Sequence, residues 1–204
     1  MLTRLYLIRH GQSEWNILSK VQGQKDARLT DLGREQAKKI GKRLIDEDID
    51  IIYSSDLSRA LETAEIISSI INKPVIESRE IREINFGLWE GLTLEEIQDK
   101  YAEEYLIWMK SPDKLTLEGA ETLESLKNRV MPFVDKIITE NKNKNIAIVS
   151  HSASLKIIIL NLLGIGNGFY KNISLRNVSL SIVECRKYNN VLTLLNDTSH
   201  LKEL

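Results

Sequence analysis

The sequence predicts an α/β protein, a single three-layer α/β/α domain over residues 1–204 with a mostly parallel sheet, and three observations predict it. Strand-like and helix-like segments alternate for most of the chain, the order that sends a crossover helix between neighbouring parallel strands. The short apolar runs Leu5–Ile8 and Ile146–Val149 read as buried strands. Neither a Gly/Ser-rich linker nor an internal repeat divides the 204 residues, a length that one large α/β domain fills.

The first strand is Leu2 to Ile8. Leu32, Gln36, Ile40, Leu44 and Ile45 then recur at helical spacing, with Thr30 as N-cap and Asp31 in the first turn. A second strand, Ile49–Tyr53, leads into a helix whose buried face is Leu57, Leu61, Ala64, Ile67 and Ile71, and Pro74-Val75-Ile76 opens a third strand. From Thr93 to about Ala120 the pattern is helical but irregular, holding Tyr101, Tyr105, Trp108 and Met109 and a break at Ser111-Pro112-Asp113. This stretch, about 93–120, is expected to run over the sheet edge as a helical excursion and a candidate lid. A long helix from Glu121 to about Glu140 is expected to bend at Pro132, and a central strand at 146–149 precedes a helix from Ala153 to Leu163. Two closing strands, Val178–Cys185 and Val191–Leu195, flank the turn signal Asn189-Asn190. The glycines at 164, 166 and 168 follow a helix rather than joining a strand to one, so they read as a loop and not as a nucleotide-binding turn.

Composition excludes several classes. Twenty-eight basic and twenty-nine acidic residues leave a formal charge of −1, so no field of one sign points to nucleic acid or to an anionic membrane, and any anion site has to be local. Hydrophobic residues are 42% and charged residues 28%, the profile of a folded chain. The N-terminal apolar stretch is interrupted by Arg9 and His10 before a signal sequence develops, and no window approaches the roughly 20 apolar residues of a membrane span. The lone Cys185 reads as core and has no partner for a disulfide or a zinc pair, which is consistent with a reducing, cytoplasmic location.

Two of the three histidines sit directly after an apolar strand, His10 after Leu5–Ile8 and His151 after Ile146–Val149. In open α/β sheets the ligand crevice lies outside the carboxyl ends of the strands, so these residues, the 54–59 segment and Arg82-Glu83 converge on one pocket. Guanidiniums such as Arg9 and Arg59 suit a tetrahedral oxyanion, and phosphate is the expected guest. A neutral imidazole is a competent nucleophile toward phosphorus, and Glu83 is the candidate acid for the leaving alkoxide.

Leu7-Ile8-Arg9-His10-Gly11 resembles the signature of the histidine phosphatase superfamily, in its phosphoglycerate-mutase-like branch. The resemblance covers most of the chain in five blocks in the family's order: it continues through Ser13-Glu14-Trp15-Asn16 with Gln22-Gly23, Ser54-Ser55-Asp56-Leu57-Ser58-Arg59-Ala60, Glu83-Ile84-Asn85-Phe86-Gly87-Leu88-Trp89-Glu90-Gly91, and Val149-Ser150-His151. It implies that His10 takes up the phosphoryl group, that Arg9, Arg59 and His151 stabilise its oxygens, that Asn16 and Gln22 add neutral donors, and that Glu83 protonates the leaving oxygen and then activates water. Gly11 is expected to keep the backbone clear of the phosphate, and Gly23 belongs to the same binding block. Ser152 stands where the family usually has glycine and is a candidate substrate-binding residue that tightens the pocket or adds a hydroxyl donor; 119–122 also departs from the family pattern, which leaves the role of Glu121 and Thr122 open. No metal and no cofactor are implied. The implied partner is a small phosphate monoester, with a homodimer as a candidate assembly.

Against these stand plainer roles. The plainer role for Arg59, which lies roughly opposite its helix's core stripe, is a solvated side chain, though the functional reading is favoured; Glu80 and Glu90 read as surface charges, His200 as solvent-facing, and Trp15 and Trp89 as packing. Ile84 follows Glu83, and the 93–120 excursion holds lysines but no arginine, its aromatic cluster suiting an apolar or bulky leaving group. The expectation is therefore a phosphomonoesterase, whether broad-specificity, phosphoserine or α-ribazole phosphatase, with a phosphoglycerate mutase as the alternative. A binding protein that keeps the fold without turnover would have lost the nucleophile or the acid, and neither is lost. A Gly-x-Ser-x-Gly elbow and a close histidine pair are absent from the sequence, which argues against a serine hydrolase and a metallohydrolase.

Overall fold

The computed structural model describes residues 2–202. Its six strands are β1 (Leu2–Arg9), β2 (Ile51–Ser55), β3 (Val75–Ser78), β4 (Asn145–Ser150), β5 (Leu180–Arg186) and β6 (Asn190–Asp197), and they form one sheet in the order β3-β2-β4-β1-β5-β6. The first four in that order run parallel, and β5 and β6 close the sheet antiparallel. The helices are α1 (Glu14–Ile17), α2 (Asp31–Arg43), α3 (Ser58–Ile71), α4 (Leu94–Lys100), α5 (Ala102–Lys110), α6 (Leu123–Glu140) and α7 (Ser152–Leu162).

Period-two alternation along the central strands builds the two faces. Leu5, Leu7, Ile146 and Ile148 pack with α6 and α7 in one core, whereas Tyr6, Ile8, Ala147 and Val149 pack with Ile40 of α2 and with Ala60, Ala64 and Ile67 of α3 in the other. Thr30 caps α2 by accepting from the Gly33 amide, as expected. β1 and β4 are neighbours, with Leu5 opposite Ile146 and Arg9 opposite Ser150. The chain leaves β1 toward the face that carries α2 and leaves β4 into α7 on the opposite face, so a crevice opens at the ends of these two strands.

Several expectations change in detail. The 93–120 excursion carries a core of its own. Trp89, Ile97 and Leu115 form a third small core with Val21, Phe86, Tyr101, Tyr105 and Trp108, seated on the loops that follow β1 and β3, and Trp108 lies 5.4 Å from the ring of Tyr170. Phe86, Trp89 and Trp108 pack on one another, which ties the excursion to the loop after β3. β5 starts at Leu180, two residues later than expected, because Val178 sits in the left-handed region (φ 46°) where its amide donates to the Arg9 carbonyl at 3.0 Å. The β5–β6 turn falls at 187–189, since Asn190 already pairs with Cys185. The long helix α6, with Pro132 inside it, starts at Leu123 rather than at Glu121, with Thr122 as its N-cap. His200 is half-buried rather than solvent-facing, and burial lowers its pKa.

Leu126 of α6 is fully buried in the larger core. Its replacement by alanine is expected to cost about 2–5 kcal/mol, read as a lower urea midpoint with an unchanged denaturant slope.

Candidate active site

The ends of β1 and β4 hold the two imidazoles side by side. The His10 amide donates to the Ser150 carbonyl at 2.9 Å, and the His10 and His151 rings lie 5.2 Å apart, tilted at 55°. His10 Nδ1 donates to the Gly11 carbonyl at 2.7 Å. A carbonyl can only accept, so the neutral ring carries its proton on Nδ1 and its lone pair on Nε2. Burial, then Arg59, then Arg9 hold the His10 pKa well below 6.5, and burial followed by Arg59 does the same for His151. Both rings are neutral bases at neutral pH.

The two guanidiniums are fixed from behind. Arg59 is fully buried rather than solvated, and its terminal nitrogens donate to the carbonyls of Lys25 (3.0 Å) and Gly23 (2.7 Å). Burial lowers its pKa to about 10, which still leaves it cationic. Arg9 donates to the Leu175 carbonyl at 2.7 Å. The Nε atoms of Arg9 and Arg59 and Nδ1 of His151 are buried with no protein partner, so three polar nitrogens around His10 are left for an acceptor-rich ligand. Arg82, also expected near this end, instead forms a two-pronged pair with Asp56 and contributes no cation to the cluster.

Glu83 closes the opposite side. Its Oε1 accepts from the amides of Ala153 (3.0 Å) and Ser154 (3.3 Å), so the carboxyl sits on the first turn of α7. Burial raises its pKa and outweighs Arg59 and the Ile84 amide, which act in the other direction. The result is a carboxyl held above its ordinary range in a site where it can carry a proton.

The remaining expected residues divide between ligand-facing and supporting positions. Asn16 Oδ1 accepts from the Ser13 amide and from Asn177, and Gln22 Oε1 accepts from Ser13 Oγ, which leaves an NH₂ donor on each. Gly23 supports the site through its carbonyl on Arg59. Its φ is 52°, and a Cβ there would meet the Glu90 carboxylate at 1.9 Å. Packing by itself requires glycine at 11. A Cβ there would lie 2.6 Å from the Gly33 carbonyl, so the residue permits the strand-end loop to approach α2, while its amide donates to Thr63 Oγ1 at 3.0 Å. Ser152 begins α7, partly exposed. Glu90 is no loose surface charge, since its Oε1 accepts from the Gln24 and Phe86 amides.

Three supporting groups escape sequence reading. Asn177 Nδ2 donates to the carbonyls of His10 (3.0 Å) and Gly11 (3.1 Å). Ser55 Oγ lies 2.8 Å from His151 Nε2. Arg129 pairs with both oxygens of Glu121 and donates to the Glu80, Arg82 and Glu83 carbonyls, while Glu121 accepts from the Asn85 amide, so this pair clamps the loop that carries the acid. That resolves the place of Glu121. A carboxylate at 121 with an arginine eight residues on is the only signal the sequence offers for it. Among the described residues no cluster of three His, Cys, Asp or Glu could hold a metal ion.

Two imidazoles, two braced guanidiniums and one shielded carboxyl in an α/β crevice define a protein that handles a small oxyanion. Residues 5–198 match the histidine phosphatase superfamily (branch 1), and the chain belongs to it. It is 35% identical over 202 residues to phosphoserine phosphatase 1 of Hydrogenobacter thermophilus, covering 99% of this chain and 96% of that one. Bacillus stearothermophilus YhfR superposes with a TM-score of 0.93 at 29% identity, covering 98% of this chain and all of that one. A mutant phosphoserine phosphatase from Entamoeba histolytica, solved with phosphoserine, gives a TM-score of 0.88 at 36% identity over 98% of this chain and 99% of that one.

Glu121→Gln is expected to lower stability by about 1–3 kcal/mol and to reduce kcat more than it raises KM, with an unchanged far-ultraviolet spectrum. Denaturation and steady-state rates measured together check it.

Proposed function

We propose that the chain is a phosphoserine-type phosphatase that works through a phosphohistidine on His10. As a member of its superfamily the chain is a hydrolase of phosphate monoesters. The observation that carries the finer reading is the Nδ1–H bond of His10 to the Gly11 carbonyl, which leaves Nε2 with a lone pair among donors that lack protein partners. That lone pair attacks phosphorus as the bond to the alcohol oxygen breaks, and the Glu83 carboxyl gives its proton to the departing alkoxide. Glu83, now a carboxylate, takes a proton from water as the water oxygen bonds to phosphorus. The N–P bond then breaks, returning neutral His10 and free phosphate. Arg9, Arg59 and His151 hold the equatorial oxygens and match the charge that builds there. The Leu57 amide donates to Ser55 Oγ, so the Ser55 hydroxyl is free to donate to His151 Nε2, and the His151 proton then sits on Nδ1, facing the oxyanion. Likeness to two phosphoserine phosphatases supports phosphoserine as the substrate, and the absence of arginine between 93 and 120 tells against the mutase alternative.

The test is phosphate release from phosphoserine, α-ribazole phosphate, 3-phosphoglycerate and para-nitrophenyl phosphate, beside an assay for 2-phosphoglycerate. Hydrolysis of phosphoserine that vanishes in His10→Ala is expected, as is persistence of the rate in EDTA. Conversion of 3-phosphoglycerate to 2-phosphoglycerate without hydrolysis would instead make the chain a mutase. For phosphoserine, kcat/KM is expected to fall as pH rises through the raised Glu83 pKa, because the acid is then deprotonated. His10 stays neutral until well below 6.5, so its protonation does not limit the rate near neutrality. Glu83→Gln is expected to slow phosphoserine about 10²–10⁴-fold and para-nitrophenyl phosphate, whose leaving group needs little protonation, far less. Equal losses on the two substrates would remove the acid role.

A further inference from the structure

Beyond the phosphoryl cluster, one cation next to the turn that holds Glu83 forms no ion pair among the described residues. Lys156 lies four residues after Ser152 on α7, which puts both on one helix face, next to the first turn that holds Glu83. It is partly buried, and its Nζ rests 4.5 Å from the centroid of the Tyr170 ring. Among the described residues no carboxylate pairs with it. Burial lowers its pKa, and the helix that carries it starts with the Ala153 and Ser154 amides that hold the Glu83 carboxyl. Tyr170 is itself buried and braced by Trp108 at 5.4 Å.

A half-buried ammonium without a partner is unfavourable, and an aromatic face offsets only part of that. We propose that Lys156, seated on Tyr170, is a specificity-determining residue that receives a carboxylate carried by the leaving-group alcohol. This rests on Glu83 being the leaving-group acid, since the alcohol then departs on the side where Lys156 stands. Arg9 and Arg59 take the phosphoryl group and Lys156 takes the second negative charge, so the preferred substrates are phosphate esters of hydroxy acids rather than of neutral or cationic alcohols.

Two matched pairs separate the charge from the rest of the substrate: phosphoserine against phosphoethanolamine, and 3-phosphoglycerate against glycerol 3-phosphate. The wild type is expected to favour the acid member of each pair in kcat/KM. Lys156→Met, which keeps the apolar stem, is expected to reduce that preference about tenfold or more, chiefly through KM, and Lys156→Arg to retain most of it. The same comparison is made by calorimetric binding of the four compounds to His10→Ala and to His10→Ala with Lys156→Met, which needs no turnover. Loss of affinity confined to the acid members supports the subsite even if the phosphohistidine reading fails. Equal weakening of both members of a pair, no weakening, or a wild type indifferent to the carboxylate would overturn it.

Discussion

Parallel pairing of β1 with β4 is the constraint on which the rest of the site depends. It sets Arg9 opposite Ser150 and lets the His10 amide bond the Ser150 carbonyl, so two residues 141 positions apart end as adjacent imidazoles. A register slip of one residue would turn every side chain of β1 to the other face, exchanging Leu5 and Leu7 for Tyr6 and Ile8 in the two cores. The apolar packing on both faces therefore protects the register, and the register places the chemistry.

Around that pair the protein concentrates positive charge where water is largely excluded. Both guanidiniums are anchored by backbone carbonyls, which accept their protons without neutralising them, and both imidazoles are kept uncharged by burial and by those same cations. The carboxyl of Glu83 is the counterweight. It is fixed on the first turn of α7 and held above its usual pKa by burial, so the site keeps an excess of donors that a phosphate dianion can satisfy. The donors are set before the ligand arrives, which limits the reorganisation that the reaction requires.

The supporting layer works through backbone more than through charge. Asn177 ties the carbonyls before and after Gly11 to a loop strained at Val178, and the Arg129–Glu121 clamp gathers the carbonyls of 80, 82 and 83. The 93–120 excursion holds itself by its own aromatic core and is tied to the rest of the domain through the packing of Trp108 on Tyr170.

The alternation of apolar runs with amphipathic segments determined the α/β class, the central strands and the helices on each face, because burial follows periodicity that can be read along the chain. The positions of Arg9, His10 and His151 directly after apolar strands determined that they meet, because residues at strand ends come together at one edge of a parallel sheet. Tertiary structure alone decided the rest. Whether Arg59 points into the protein or into water depends on the Gly23 and Lys25 carbonyls reaching it from another loop. The purpose of Gly11 depends on how closely α2 approaches, and the place of Glu121 depends on Arg129 lying under the acid loop. Those roles are set by contacts between segments distant in sequence, which leave no local pattern.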